Sequence, residues 1–495
     1  MKFKITRISA ILFLLFINLQ IFGQATLIDE NSIERKNGLL AFVYAPQGKV
    51  YFAVMQEFEK KNCVVSLIKL DEKFNLLWSK VIIENYEKGK ASISDCFKLY
   101  AHDSDINLFY TKFENTAAFE IQIIFDLEGI AKSKENEILT AENCQLIKKI
   151  DAGIEDGIAF VPLKFQSDPS TPIYTAANEE LSIFVYTFKN RSVKKIPTPL
   201  TDESITKFTI KEDNFYAHLL TKNTTQFILS LDLNTGVFKQ TAKSTFSLTD
   251  MQDYAVNEMR TFVYSPDGII KLKYHKPTVM ELSDKEGKAN AMGKIKFIKN
   301  TFDGKSSETI IEITQEVKEK AKVYGKNIGI SKHALLQDFQ VREAFQMKNK
   351  NLILVMERMY VIRKGTNENP YFMQMSGELL FVVVDENGTL LNMDLVERSA
   401  KAGYWGESLL FSVNQGDCVK LLYPAKKQIA KTGNGLHLTT ISDTGEIKDK
   451  GKSDKLNTLS SDFSLDENSI ILPNYETILV QKKSKNQLIL YKVKL

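Results

Sequence analysis

The sequence predicts an all-β fold assembled from repeated units of four short strands. Apolar runs of strand length alternate with turns along most of the chain, and the turns recur at nearly constant spacing. The clearest case is Leu379–Val396, in which LLFVVV is followed by Asp385-Glu386-Asn387-Gly388 and then by TLLNMDLV. Asn and Gly stand where a tight turn needs positive φ, so this segment is predicted to be a β-hairpin.

The first complete unit begins at Leu39. Its four predicted strands are Leu39–Ala45, Val50–Gln56, Val64–Leu70 and Leu76–Ile83. The turns between them are Pro46-Gln47-Gly48 at the first connection and Asp71-Glu72-Lys73-Phe74 at the third. Because such short connections join antiparallel neighbours, the unit is predicted to be an up-and-down meander.

Weaker copies of this unit follow along the chain. The predicted strands are Ser92–Leu99, Ile106–Phe113, Phe119–Phe125 and Ile130–Lys134 in the second unit, Leu181–Phe188 in the third, and Ile205–Ile210, Phe215–Leu220, Gln226–Leu231 and Val237–Lys243 in the fourth. The fifth runs from Arg260 to a turn at Asp284–Gly287, and the sixth places Leu352–Ile362 before the hairpin. The seventh has Val419–Tyr423 and Leu436–Ile441, and the last has Thr477–Gln481 and Gln487–Leu495.

Residues 295–337 interrupt this regularity and are interpreted as an insertion or a diverged unit. They contain a predicted strand, Thr309–Ile313, and a charged stretch, Gln315–Lys322. The charged stretch is predicted to be a short solvated helix, with a docking arm for a partner as the alternative.

The turn aspartates fall at positions 71, 126, 232, 284, 385 and 443, separated by 52–58 residues or by about twice that. Four strands per period are typical of a propeller blade. Blades stack face to face, so inner strands such as LLFVVV should be apolar on both sides. The prediction is therefore a single β-propeller of seven or eight four-stranded blades over residues 26–495, with tandem β-sandwich domains as the alternative. The last unit lacks an outer strand, and Thr26–Asn37 is predicted to pair there and close the ring.

On this repeated turn and strand pattern the chain resembles exported bacterial β-propeller repeat proteins. The repeats carry neither a Trp-Asp signature nor a kelch pattern, so no narrower family is assigned.

The N-terminus has the pattern of a cleaved secretory signal peptide over residues 1–25. Lys2, Lys4 and Arg7 precede the apolar run Ile8–Phe22, and Gly23-Gln24-Ala25 provides a small-x-small cleavage site. The alternative is a membrane anchor, but the run is short, and no later segment has the roughly 18 apolar residues that spanning needs. The expected location is extracytoplasmic: the periplasm, the cell surface or the medium.

Loss of that segment removes three of the 65 basic residues and none of the 61 acidic ones, so the formal charge falls from +4 to +1. A near-neutral surface does not favour nucleic acid as a partner. Cys63, Cys96, Cys144 and Cys418 are scattered without a CxxC or Cys/His pattern, which argues against a metal or redox motif. Buried free thiols are expected, with a Cys63–Cys96 bridge as the alternative.

The sequence contains no recognised catalytic motif, so no catalytic, cofactor or metal residue is assigned. His218 and His437 lie in apolar strands and are expected to pack, whereas His275 is placed on a loop, where it is the best catalytic histidine available and a candidate binding residue. His102-Asp103-Ser104-Asp105 is expected to be an ordinary turn, with a calcium loop as the alternative. Tyr404-Trp405 and Tyr371-Phe372 stand in polar, loop-like surroundings and are candidate binding residues, with packing between blades as the alternative.

These features predict a non-enzymatic extracytoplasmic scaffold that binds an envelope protein or a glycan through one face of the ring. The alternative is a hydrolase or lyase acting on extracellular polysaccharide or peptide, with catalytic residues dispersed over several blades. No cofactor is expected. The sequence does not set the oligomeric state.

Overall fold

A computed structural model describes the chain with gaps. The described residues are 26–34, 38–59, 62–87, 93–152, 157–165, 174–177, 180–200, 203–211, 213–221, 225–245, 262–265, 267–275, 294–328, 339–365, 370–396, 400–401, 411–425, 435–452, 470–471, 476–484 and 487–494.

Within these residues the chain forms eight four-stranded antiparallel units in chain order, here called blades 1 to 8. The strands of blade 1 are Leu39–Ala45, Val50–Glu59, Asn62–Leu70 and Leu76–Ile83, and those of blade 2 are Phe97–His102, Asp105–Glu114, Ala117–Asp126 and Asn136–Ala141. Blade 3 has Leu146–Ala152, Gly157–Phe165, Ser182–Thr187 and Ser192–Pro197, and blade 4 has Ser204–Lys211, Asn214–Leu220, Thr225–Asp232 and Phe238–Gln240. A short strand at Tyr174–Ala176 pairs with both blades and joins them into one sheet, and another at Ser244–Thr245 adds to the edge of blade 4.

The second half repeats the arrangement. Blade 5 has Phe262–Ser265, Gly268–His275, Lys294–Thr301 and Ser306–Glu312, and blade 6 has Phe339–Gln346, Leu352–Gly365, Pro370–Val384 and Leu390–Val396, with Ala400–Lys401 at its edge. Blade 7 has Phe411–Asn414, Cys418–Ala425, Gly435–Ser442 and Ile447–Lys452, and blade 8 has Ile470–Ile471, Glu476–Ser484, Gln487–Lys494 and Thr26–Glu34. A 3-10 turn at Ile93–Cys96 and a helix at Gln315–Ile328 complete the elements.

The fold is a β-propeller, as predicted, because sheets that follow one another in the chain pack on one another from blade 1 to blade 7. One apolar cluster runs through blades 1 to 4, and further clusters join blades 4 and 5, 5 and 6, and 6 and 7. Leu490 of blade 8 packs in the core of blade 1. Residues 379–384, the LLFVVV run, are 0% exposed, so this strand is covered on both faces. Tandem sandwiches would not give this continuous sequence of stacked sheets.

The ring is closed by the N-terminal strand. Thr26–Glu34 pairs antiparallel with Gln487–Lys494 and is the fourth strand of blade 8, which confirms the predicted pairing of this segment. One blade is therefore built from both ends of the chain.

Several details differ from the sequence predictions. The fourth strand of blade 2 is Asn136–Ala141, and residues 130–134 belong to the connection before it. Residues 294–312, interpreted as the start of an insertion or diverged unit, are the last two strands of blade 5. The third-to-fourth turn of that blade therefore lies at 301–305, whereas the predicted turn at Asp284 lies outside the described residues.

The helix Gln315–Ile328 is longer than predicted and is not simply solvated. Val317 and Ala321 are 0% exposed and pack in the core shared by blades 5 and 6. Lys320 forms an ion pair with Asp394 on the outer strand of blade 6. The helix therefore covers the rim of the ring between these blades. None of the described helices has the length and apolar content needed to cross a membrane.

The repeated aspartate turn, here called the blade turn, joins the third and fourth strands of a blade. In blade 2, Asp126 Oδ1 accepts hydrogen bonds from the backbone N–H groups of Glu128 and Ile130, at 2.9 and 2.8 Å. Asp71, Asp232 and Asp385 accept two backbone bonds in the same way. In blade 7 the residue in this position is Ser442 rather than the predicted Asp443, because Ser442 Oγ accepts from Glu446 N. These side chains hold the turn itself.

Each of several blade turns is also contacted by the fourth strand of the preceding blade. Lys80 Nζ donates to Gly129 O of blade 2, and Lys194 Nζ donates to Asn234 O of blade 4. Thr309 Oγ1 donates to Asn387 O of blade 6, and Asn392 Nδ2 donates to Gly445 O of blade 7. The repeat therefore fastens one blade to the next.

The closing strand gives a first prediction. Deletion of residues 26–37 from a chain that begins at residue 26 should markedly lower the melting temperature, because it removes the outer strand of blade 8. Thermal melts followed by circular dichroism measure this. A synthetic peptide of residues 26–37 added to the truncated protein should restore part of the lost stability. An unchanged melt after deletion would contradict the closure.

The blade turn gives a second prediction, with a matched pair of glycines. Gly129 and Gly236 both have φ of +76°, but a Cβ on Gly129 would lie 2.3 Å from the Trp78 ring, whereas nothing lies within 4 Å of one on Gly236. Gly236→Ala should lower the free energy of unfolding by about 1 kcal/mol through backbone strain alone. Gly129→Ala should lower it by about 1–3 kcal/mol more because of the clash. Equal losses in urea titrations would contradict the inter-blade contact.

Candidate functional site

The connections between strands lie at two opposite ends of the ring. Since strands alternate in direction, the first-to-second and third-to-fourth connections of every blade lie at one end, here called the turn end. The blade turns Asp71–Asn75, Asp126–Ile130, Asp232–Val237 and Asp385–Thr389 lie there, and so does the turn after His102 in blade 2.

A cavity of about 470 Å³ opens at the turn end between blades 2 and 3. One side is the turn between His102 and Asp105, and the other is the blade turn of blade 3, which ends at Arg191. Asp103 and Arg191 both have left-handed backbones, with φ of 52° and 50°. The two tight turns thus leave a recess between the sheets rather than closing over it.

The floor of the cavity is a buried polar group of three side chains. Gln122 Nε2 donates to Asn107 Oδ1 at 2.9 Å and to Tyr186 OH at 2.8 Å. All three residues are buried, and Asn107 and Tyr186 line the cavity. Burial raises the pKa of Tyr186, so its phenol keeps its proton at neutral pH. Gln122 therefore fixes the orientation of the two floor residues from behind.

One wall of the cavity is aromatic. The His102 ring stacks on Phe188, with centroids 5.1 Å apart and planes 15° apart. Phe188 in turn packs edge-on against Tyr186 and Phe109. The wall is thereby held rigidly by the aromatic core shared by blades 2 and 3.

The opposite charges at the cavity are partly paired. Asp105 forms ion pairs with Lys132 and, at 2.9 Å, with Arg191 across the blade boundary. Its carboxylate is 14% exposed, whereas Asp103 at the rim is 81% exposed. Asp105 is thus neutralised by two cations, which does not suit a calcium ligand. The predicted turn at residues 102–105 is confirmed, and within the described residues no cluster of three or more His, Cys, Asp or Glu could hold a metal.

A second polar cluster lies inside the same part of the ring but is sealed from solvent. Glu120 is 0% exposed; its Oε2 accepts from Thr111 Oγ1 at 2.8 Å and lies 3.1 Å from Lys149 Nζ. Lys149 comes from the innermost strand of blade 3, so the pair links two blades. Glu120 Oε1 is buried without a hydrogen-bond partner among the described residues. Burial raises the pKa of Glu120 to about 7, although Lys149 and Thr111 act to lower it.

His218 and the four cysteines follow the packing expectation. His218 is 1% exposed, and its Nε2 lies 3.0 Å from Tyr264 OH at the boundary of blades 4 and 5. Burial lowers the pKa of His218 to about 3, so the ring stays neutral. Cys63, Cys96 and Cys144 are buried free thiols and Cys418 is a half-buried one, so the alternative Cys63–Cys96 bridge is not formed.

Among the residues that the structure describes, the lining of the cavity includes none of those predicted to bind a partner. His275 is the last residue of a strand rather than part of a loop. Tyr371 and Phe372 also lie in a strand, where they pair with Lys364 and Arg363, so the expected loop is not there. Tyr404 and Trp405 lie outside the described residues, and their binding role stays a prediction.

No sequence pattern singles out Asn107, Tyr186 or Arg191 as functional residues. The polar turn at 102–105 was the available signal on one side of the cavity. The other side comes from more than 80 residues further along the chain, and only the stacking of blades 2 and 3 brings the two together.

Comparisons with known proteins give only low similarities. No protein-family model and no curated protein matches the chain. Among solved structures, the β-propeller domain of the Trilobed protease from Pyrococcus furiosus is 12% identical, with 86% of this chain and 99% of that chain covered and a TM-score of 0.32. Sqt1 from Chaetomium thermophilum is 10% identical, with 95% and 99% covered and a TM-score of 0.42. A polysaccharide lyase of family PL25, an ulvan lyase, is 10% identical, with 94% and 96% covered and a TM-score of 0.36. At these scores none of them supports a functional argument.

The buried Glu120 gives a third prediction, on pH dependence. Its folded pKa lies above the unfolded value, so its contribution to stability is complete below about pH 4.5 and is lost as the pH rises through about 7. The wild-type free energy of unfolding, relative to that of Glu120→Gln, should therefore fall on the order of 1–3 kcal/mol between those pH values. Denaturant titrations at several pH values measure this.

The control is Glu114→Gln on the neighbouring strand, where the carboxylate is 52% exposed and paired with Lys112. That variant should keep the wild-type pH dependence. A difference between wild type and Glu120→Gln that does not change with pH would contradict the raised pKa.

Proposed function

We propose that the protein is a non-enzymatic binding scaffold that acts outside the cytoplasm and engages a glycan through the turn end of the propeller. The observation that carries the proposal is the cavity between blades 2 and 3. It combines oriented hydrogen-bonding groups on its floor with an aromatic wall in a recess of about 470 Å³, which lies within the size range of small-ligand pockets.

The chemistry of the cavity suits a polyhydroxylated ligand. A sugar hydroxyl both donates and accepts, and the cavity offers donors from Asn107, Tyr186 and Arg191 with an acceptor from Asp103. Sugar rings also carry apolar C–H faces that pack on aromatic side chains such as the His102–Phe188 wall. A protein partner is the other occupant to be tested, since it would contact the same exposed turns.

The acid–base groups favour binding over hydrolysis. A glycosidase places two carboxyl groups on either side of the scissile bond, one of them with a raised pKa. Among the residues that the structure describes, the carboxyl group with the raised pKa is Glu120, which is sealed inside and paired with Lys149. Of the two cavity carboxylates, Asp105 is bound by two cations. This separation supports a scaffold rather than a hydrolase or lyase.

The proposed location rests on the signal-peptide pattern of residues 1–25. An extracytoplasmic protein meets envelope glycans and envelope proteins, and either of them could reach the turn end of the propeller. No nucleic acid partner is proposed, since the mature chain carries a formal charge of only about +1.

The fourth prediction tests binding at the turn end. The mature chain, residues 26–495, is applied to an array of bacterial and algal glycans, and we expect a defined glycan class to be retained. Arg191→Glu should reduce this binding at least about tenfold, because it places a third acidic group at the cavity. Lys164→Glu, an exposed charge reversal at the other end of blade 3, should leave binding unchanged.

Three outcomes would contradict the proposal. They are equal losses in both variants, capture of an envelope protein without any glycan, and release of reducing or unsaturated ends from the retained glycan. The last outcome would assign a hydrolase or lyase activity instead.

A further inference from the structure

We infer that the cavity between blades 2 and 3 binds a carboxylate-bearing sugar residue, of the uronic acid class. This inference rests on the proposed glycan binding and names the kind of sugar that would occupy the site.

The hydrogen bonds on the floor of the cavity leave donor groups available to a ligand. Gln122 Nε2 donates to both Asn107 Oδ1 and Tyr186 OH, so both oxygens act as acceptors toward the protein interior. The Tyr186 proton and the Asn107 amide nitrogen are then the groups with which the floor can donate to a ligand. Two converging donors on a buried floor match a strong acceptor such as a carboxylate.

The charges around the cavity also favour an anionic ligand. Lys189 and Arg191 line the cavity together with Asp103 and Asp105, and Lys132, which is not among the lining residues, pairs with Asp105; these five groups together carry one positive charge in excess. Arg191 is held by a single contact to Asp105 Oδ2 on one side, and its side chain is 63% exposed. A guanidinium presents several N–H groups in a plane, so Arg191 can bind Asp105 and a ligand carboxylate together. One ligand carboxylate would balance the excess charge.

The aromatic wall and the rim of the cavity favour an acidic sugar over a simple carboxylate. The His102–Phe188 wall offers an aromatic surface beside the donors, and Asp103 offers an exposed acceptor at the rim. A ring with hydroxyl groups uses both features, whereas a short peptide carboxylate uses only the donors. The combination of donor floor, cationic side, aromatic wall and acceptor rim therefore favours a uronic acid.

The fifth prediction follows from this assignment. Calorimetric titration of the mature protein with trigalacturonic or triglucuronic acid should show saturable binding. The methyl ester of the same trisaccharide keeps its shape but loses its charge, and it should bind about tenfold or more weakly. Neutral galactose and glucose trisaccharides should be weakened to a similar extent, and an N-acetylated tripeptide with a free C-terminus should not bind.

The variants test the residues one at a time. Tyr186→Phe removes only the floor hydroxyl and should weaken binding of the acidic trisaccharide about tenfold, with little effect on the methyl ester. Tyr110→Phe is the matched control, since Tyr110 is also buried but its hydroxyl donates to Glu135 away from the cavity. Arg191→Gln should abolish the preference for acid over ester. Lys195→Gln, on the outer strand that follows Arg191 but outside the cavity, should not change it.

The result that overturns the inference is equal affinity for acid, ester and neutral sugars, or an acid preference that survives both Tyr186→Phe and Arg191→Gln. If neutral sugars bind as well as the acid and their binding depends on Arg191, the assignment of an acidic sugar is wrong, but the proposed glycan binding is supported. If no sugar of any class binds, both proposals fail. The ester comparison uses the wild-type chain, so it decides the question even where a variant does not fold.

Discussion

The contact between one blade and the turn of the next is the interaction on which the ring depends. A four-stranded sheet alone leaves two apolar faces and two edges exposed, so it is stable only when neighbours cover it. Here the cover is fixed in place by hydrogen bonds from the fourth strand of one blade to backbone carbonyls of the following blade turn, as Lys80 does at Gly129 and Asn392 at Gly445. The turn must keep its shape for this to work, and an aspartate or serine side chain holds its N–H groups.

This arrangement explains why the sequence repeats so weakly while the structure repeats well. A blade needs two apolar inner strands, a turn that exposes its carbonyls, and a polar side chain that reaches them from the previous blade. Lys, Thr and Asn all serve as that side chain at different boundaries. Since the donor chemistry is shared but the residue type is not, little sequence identity is required. The outer strands are free to vary further because they are largely exposed, as Leu76–Ile83 and Phe238–Gln240 are.

The same stacking creates the polar features that carry the functional proposals. Blades 2 and 3 bury an ion pair between Glu120 and Lys149 in the interior and leave a recess between their turns at the surface. The interior pair cannot meet a substrate, whereas the recess is lined by oriented donors and opens outward. A propeller suits such a site because its walls come from different blades, each held by its own hydrogen-bond ladder. The floor of the cavity is therefore formed by rigid strands, and the residues of its rim lie on short turns.

The sequence by itself determined the class of fold and most of the strand positions, because apolar runs and turns with Asp and Gly are local signals with local physical causes. It also determined the closure by residues 26–34, because the last unit lacked an outer strand and a ring must close. It also indicated correctly that the runs such as residues 379–384 are buried on both sides. Blade 5 departs from the common spacing. Its third-to-fourth turn lies at 301–305, whereas the repeat spacing predicted that turn at Asp284. Only the tertiary structure decided which residues of neighbouring blades contact each other. It alone placed Asn107 and Tyr186 side by side on the floor of the cavity, where both accept hydrogen bonds from Gln122. Contacts between side chains distant in sequence depend on how sheets stack, and stacking is a property of the whole ring that no single segment encodes.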